Sequence, residues 1–160
     1  MTAFARISRV VAAAISALVF ATDGSAQIVL RHVPQADVKV LDPVANTAIN
    51  TMQYAYLVYD QLFSFDDRFR AQPQMVEAFR VSSDQRTYEF TLRTGLKFHD
   101  GAPVRSADVV ASIKRWSQRD PTGTRMNELG MTLEAIDDRN FRLTLRESWG
   151  QVIEIGRAHV

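Results

Sequence analysis

The stretch from Tyr88 to Trp116, YEFTLRTGLKFHDGAPVRSADVVASIKRW, decides how this chain is read. Tyr88, Phe90 and Leu92 alternate with Glu89, Thr91 and Arg93, and a period of two places the apolar groups on one face of a strand. Thr94-Gly95 lets the backbone turn, because glycine enters positive φ at little steric cost. Leu96 and Phe98 restart the alternation, which predicts the second strand of a hairpin, and Asp100-Gly101 ends it. Ser106 is the expected N-cap of a helix, with Asp108 in the first turn, where a carboxylate complements exposed N–H groups. Val109, Val110, Ile113 and Trp116 form an apolar stripe at helical spacing, while Lys114 and Arg115 keep to the wet side. Arg119 falls near the helix end, and Asp120-Pro121 stops it. The pattern is hairpin, loop, amphipathic helix.

This run, LRTGLKFHDGAPVRSADVVASIKRW, resembles the signature region of the extracytoplasmic solute-binding proteins of the peptide and nickel class, which deliver ligand to ABC importers. In that family a strand ending in Leu-Arg leads to Gly, a Lys-Phe-His-Asp-Gly turn, a Pro, and a helix opening with Ala-Asp-Asp-Val or a near variant. Ala107-Asp108-Val109-Val110 departs only slightly. The segments LDPVANTAI, YLVYDQLF and LEAIDDRNFRLTL extend the likeness over nearly all of Ile28 to Gly150.

The composition is that of an ordinary globular protein: of 160 residues, 46% are hydrophobic and 23% charged. A formal charge of +1 provides no field that would draw nucleic acid or anionic lipid. Residues 1–26 read as a secretory leader, with Arg6 and Arg9 at the basic start and an apolar run from Val10 to Ala21. Gly24-Ser25-Ala26 is the small-residue cleavage site, so cutting between Ala26 and Gln27 is expected. The apolar run is short for a membrane span, although an uncut anchor helix is the alternative. No cysteine is present to form a disulfide or to carry a lipoprotein's lipid, so a protein free in the periplasm is expected.

Further along, Ile28-Val29-Leu30 and the group Val38, Val40 and Leu41 read as short strands of a buried sheet. From Thr51, the spacing of Met52, Ala55, Tyr56, Tyr59 and Leu62 or Phe63 predicts a helix whose aromatic stripe packs on its neighbours. Phe63 and Phe65 alternate into a turn at Asp66-Asp67, and Phe69 resumes the alternation. Pro73 suits the first turn of a short helix through Met75, Val76, Ala78 and Phe79. Ser82-Ser83-Asp84-Gln85 turns the chain into the strand at Tyr88, and relatives often carry Gly after that Asp. Thr122-Gly123-Thr124 reads as loop. Leu133 to Leu145 reads as a second hairpin about Asp137-Asp138-Arg139-Asn140. Ile155 to Val160, IGRAHV, is what ATC GGA AGA GCA CAC GTC encodes and resembles a sequencing adapter, so the native chain is expected to continue past Glu154.

The resemblance implies an α+β or α/β piece of a two-lobed, class II Venus-flytrap periplasmic-binding-protein fold, built from short strands, hairpins and amphipathic helices. On that basis residues 27–57 hold the first strand region of lobe I, residues 58–154 an incomplete extra domain attached to it, and residues 155–160 a non-native tail. The implied protein is a periplasmic monomer that takes no cofactor and inserts in no membrane once its leader is removed. Its partners would be a small peptide, a peptide-like solute or a metal chelate, and an ABC permease of the inner membrane.

In similar proteins the segment after Leu-Asp-Pro borders the ligand cleft, where its backbone pairs with an extended peptide as an added strand. By position after Asp42-Pro43, the candidates are Thr47, Ala48 and Ile49, although a loop-to-helix junction needs no ligand to explain it. His99 beside Asp100 is the one pair that invites a catalytic or metal reading. Neighbours in a strand point to opposite faces, however, so turn packing is the simpler account and no enzyme is expected. Two other classes stay open: a secreted interaction domain using the aromatic helix around Tyr54, Tyr56 and Tyr59, and a secreted hydrolase whose catalytic residues lie outside this chain.

Overall fold

The computed structural model describes residues 29, 31–46 and 48–153. The leader with its Ala26/Gln27 junction, Thr47, and the 155–160 tail lie outside the described residues. Met1–Val33 and Pro34–Val160 are separate units, and all helices and strands of the described residues belong to the second. The elements are α1 (Ile49–Val58), β1 (Phe63–Phe65), β2 (Ala71–Pro73), β3 (Val76–Val81), β4 (Thr87–Leu92), α2 (Ser106–Ser117), α3 (Pro121–Glu128), β5 (Thr132–Ala135) and β6 (Asn140–Thr144). β1 and β2 form a two-stranded antiparallel sheet, and the remaining strands form a four-stranded one in the order β3-β4-β6-β5.

The larger sheet is antiparallel throughout, and its pairing follows the period-two pattern. Tyr88 pairs with Leu143 and Phe90 with Phe141, so four large apolar groups share one face. On the opposite face Arg142 bridges Glu89 and Glu134 from its two neighbouring strands. Val109, Ile113 and Trp116 of α2, with Met126 and Leu129 from α3 and its C-cap, complete a core that also takes in Leu92, Leu145 and Val152.

The strand at Tyr88 and the helix after Arg105 stand where the sequence places them, but the Leu96–Phe98 strand does not form. Both edges of β4 are occupied, by β3 and β6, so no edge is left for it. Residues 96–104 instead close on themselves around Asp100-Gly101: Phe98 N–H donates to Ala102 O (2.8 Å) and Val104 N–H to Leu96 O (3.1 Å). The helix begins one residue earlier than expected, with Arg105 rather than Ser106 as N-cap. Arg105 N–H donates to the Asp108 carboxylate (2.8 Å), while buried Ser106 gives its hydroxyl to Asp137 O.

Three other expectations change. The helix proposed from Pro73 is strand β3, because a β-bulge between Val76 and Ala78 inserts Glu77. With the bulge, Val76 faces Leu92 and Phe79 faces Phe90. Two apolar residues three apart thus share a sheet face, a spacing that mimics a helix in sequence. The loop at Thr122-Gly123-Thr124 is part of α3: Asp120 caps it by accepting from Thr122 N–H (2.8 Å), and Pro121 occupies the first turn. A Cβ on Gly123 would collide with Ser117 Cα, so glycine here lets α3 close on the end of α2. Phe69 does not resume a strand; it sits in the turn at φ 57° and is 87% exposed. Asp66 organises that turn, its Oδ1 accepting the N–H groups of Arg68 and Arg70 (both 2.9 Å).

Nor is there a strand at Val38 to Leu41. The backbone oxygens there are taken by side chains of α1: Thr51 Oγ1 donates to Val40 O (3.0 Å) and Asn50 Nδ2 to Asp37 O (2.8 Å). Of the earlier pair, Ile28 and Leu30 lie outside the described residues and Val29 is in no strand. The helix α1 ends at Val58, before Tyr59 and Leu62. Its buried positions are Thr51 and Ala55, whereas Tyr56 is 52% exposed, so the aromatic stripe is not the packed face.

Candidate functional site

The segment after Leu41 is shaped by one carboxylate. Asp42 Oδ1 accepts Val44 N–H (3.0 Å) and its backbone oxygen accepts Ala45 N–H (3.2 Å), which closes a turn around Pro43. The same carboxylate receives both guanidinium nitrogens of Arg115 on α2: Nη1 donates to Oδ1 (3.2 Å) and Nη2 to Oδ2. The Arg115 hydrogen bond holds the Asp42 carboxyl below its ordinary value against a smaller opposing effect of burial. Arg115 is correspondingly raised by the same contact.

From that anchor the chain runs to α1 through a second local capture. Asn46 Oδ1 accepts Ala48 N–H (2.9 Å), and Ala48 O accepts Met52 N–H (3.1 Å), the first bond of the helix. Asn46 Nδ2 also reaches Thr51 Oγ1 (3.3 Å). The turn and α2 border an open cavity of ≈ 470 Å³ lined by Asp42, Pro43, Val44, Tyr59, Ala111, Ser112 and Arg115. It combines apolar walls with a paired acid and base at one end.

Of the residues expected to meet ligand, Ala48 has its N–H and C=O both engaged within the chain. Ile49, the first residue of α1, has a side chain 66% exposed. Neither lines the cavity beside the Asp42 turn. Arg115 is the residue that sequence reading passed over. It is one of two cations on the polar side of an amphipathic helix, and nothing in its local pattern points to an aspartate 73 positions earlier.

His99 is exposed and lines a different cavity, of ≈ 250 Å³, together with Tyr56, Asp60, Met75 and Leu96. Asp100 accepts Ala102 N–H (2.9 Å), the role of a turn-forming carboxylate. Among the described residues no group of three or more His, Cys, Asp or Glu side chains is placed to hold a metal ion. None of the helices among them is long and apolar enough to cross a membrane.

Comparison with known proteins places this architecture. Residues 70–154 match the family described as bacterial extracellular solute-binding proteins, family 5 Middle. The chain is 43% identical over 119 residues, 74% of its length and 22% of the relative's, to a probable peptide ABC transporter periplasmic-binding protein of Sinorhizobium fredii. It is 32% identical over 118 residues to the glutathione-binding protein GsiB of Salmonella choleraesuis, covering 72% of this chain and 23% of that one. The chain thus spans about a fifth to a quarter of the length of these relatives. Among solved structures it resembles the periplasmic binding protein AgaA from Agrobacterium tumefaciens R10, in complex with agropinic acid. The TM-score is 0.64 at 28% identity over 78% of this chain and 26% of that one. The mixed helices and antiparallel sheets are those of part of a two-lobed periplasmic binding protein, as the sequence leads one to expect. This chain belongs to the bacterial extracellular solute-binding proteins of family 5.

Proposed function

We propose that the protein carrying this chain is the periplasmic substrate-binding component of an ABC importer. It captures a peptide or peptide-like solute between two lobes and hands it to a permease of the inner membrane. The observation that carries this reading is the 43% identity over 119 residues to a peptide ABC transporter periplasmic-binding protein. A glutathione-binding relative and a structural neighbour in complex with agropinic acid point in the same direction, towards a small organic solute.

In this reading residues 27–57 belong to lobe I, which borders the cleft, residues 58–154 are an incomplete extra domain attached to it, and Thr47, Ala48 and Ile49 lie near the ligand. Export uses the leader, cut between Ala26 and Gln27. Capture is mechanical: closure is driven by contacts made only in the closed state, and the ligand leaves unchanged. A thermal-shift screen of the full-length protein against di- to pentapeptides, glutathione and nickel chelates tests it. A compound that binds the native state at a hundred times its Kd adds about 2.7 kcal/mol of stability and raises Tm. A screen in which every compound leaves Tm unchanged contradicts the reading.

A further inference from the structure

We infer that Arg115 is a positioning residue for the cleft-bordering segment, acting through Asp42 to hold the turn at residues 43–46 against α2; the inference rests on the binding-protein reading above. Three observations support it. The pair is two-pronged, with each Asp42 oxygen receiving its own guanidinium nitrogen, a geometry that fixes direction as well as distance. Asp42 also builds the turn that launches the segment, through Val44 N–H. Moving the carboxylate therefore moves the turn with it. The partners come from different parts of the chain: Asp42 precedes α1, whereas Arg115 stands on a helix whose opposite side is embedded in the sheet core at Val109, Ile113 and Trp116.

The embedded helix is the rigid member and the turn the movable one. Among the described residues between Asp42 and α1, the N–H groups of Val44 and Ala48 are held by the side chains of Asp42 and Asn46. The guanidinium refers this local structure to α2 beside the packing of Val44 on the core, and it is the contact that fixes direction. A ligand that needs the segment in one place binds more weakly when that place is only partly populated, in proportion to the lost population.

The test uses the full-length protein and three variants. Arg115→Ala removes the clamp. Asp42→Asn keeps an acceptor for Val44 N–H while losing the charge. The double variant Asp42→Asn with Arg115→Ala closes a double-mutant cycle. Hydrogen–deuterium exchange is followed at residues 43–50 and at β4 and β6, and affinity is measured by calorimetry with glutathione and trialanine as probes. Exchange at 43–50 is expected to rise about fivefold in both single variants, the scale of a well-formed exposed ion pair, with β4 and β6 unchanged. Affinity for whichever probe binds the parent is expected to fall by a similar factor in each single variant and no further in the double variant. Unchanged exchange at 43–50, an equal rise throughout the sheet, or full affinity in Arg115→Ala overturns the inference. If the parent binds neither probe, the failure belongs to the binding reading for these ligands, and the exchange result alone decides the positioning role.

Discussion

The rings of Phe90 and Phe141 stack 4.8 Å apart at an interplanar angle of 18°, joining the two central strands of the sheet at its most buried point. Phe141 has no solvent exposure, so truncation leaves a cavity that the surrounding strands and helices cannot close. Phe141→Ala should cost about 3–5 kcal/mol, read from the urea midpoint, whereas Phe69→Ala on the exposed turn should stay within about 0.5 kcal/mol. Equal losses at the two positions would show that the sheet face is not the core.

Gly123 tests the contact between α2 and α3. A methyl group there meets Ser117 Cα and lies 3.1 Å from Trp116 Cε3, atoms that belong to a helix end rather than to a flexible tip. Gly123→Ala should destabilise by about 1–3 kcal/mol despite the better helix propensity of alanine. At Gly150 a methyl group meets nothing within 4 Å, and Gly150→Ala serves as the control. Stabilisation by Gly123→Ala would mean that the helices do not approach as described.

Gln85 sits at φ 54°, in the left-handed region that a side chain makes unfavourable. Its N–H closes the turn on Ser82 O (2.9 Å), so the conformation is imposed by the hairpin between β3 and β4. Gln85→Gly should stabilise by up to about 1 kcal/mol, with the relief of strain partly offset by the greater freedom of the unfolded chain. A clear loss of stability would refute the assigned turn.

Acid should loosen the molecule through carboxylates that the fold holds ionised. Four carboxyls are held below their usual 3.8: Asp42 by Arg115, Asp66 by the N–H of Arg70, Asp84 by the Ser82 hydroxyl and Asp137 by the Asn140 side chain. A carboxyl depressed in the folded state binds its proton more readily when unfolded. Its contribution is therefore complete above the unfolded value and disappears as pH falls through the lower folded value. The urea midpoint should be insensitive to these groups from pH 7 to 5 and drop below about pH 4. Asp42→Asn should make that acid drop shallower. An unaltered acid drop in Asp42→Asn would show that the Arg115 contact does not persist in solution.

Legibility in the sequence followed how local the cause was. Tyr88, Phe90 and Leu92, and Phe141, Leu143 and Leu145, announce their strands because each segment alternates without a bulge. The bulge at Glu77 defeats the same reasoning in β3, since one inserted residue changes a period of two into a spacing of three. Asp120-Pro121 was legible as punctuation but ambiguous in sense: the pair both ends α2 and opens α3. Leu96 and Phe98 carry a valid strand pattern that fails for want of a free edge, a property of the sheet order rather than of the segment. The Asp42 turn could be read from its proline, but its partner Arg115 could not, because a contact across 73 residues leaves no periodic trace.

Capture without chemistry distinguishes the proposed receptor from a secreted hydrolase. Its most direct measurement is calorimetric titration of the full-length protein with whichever peptide or chelate shifts its melting, followed by mass spectrometry of the ligand released on denaturation. One ligand per chain, recovered with its mass unchanged after prolonged incubation, is the expected result. Recovery of cleaved or otherwise altered ligand, accumulating in proportion to time and protein, would contradict it.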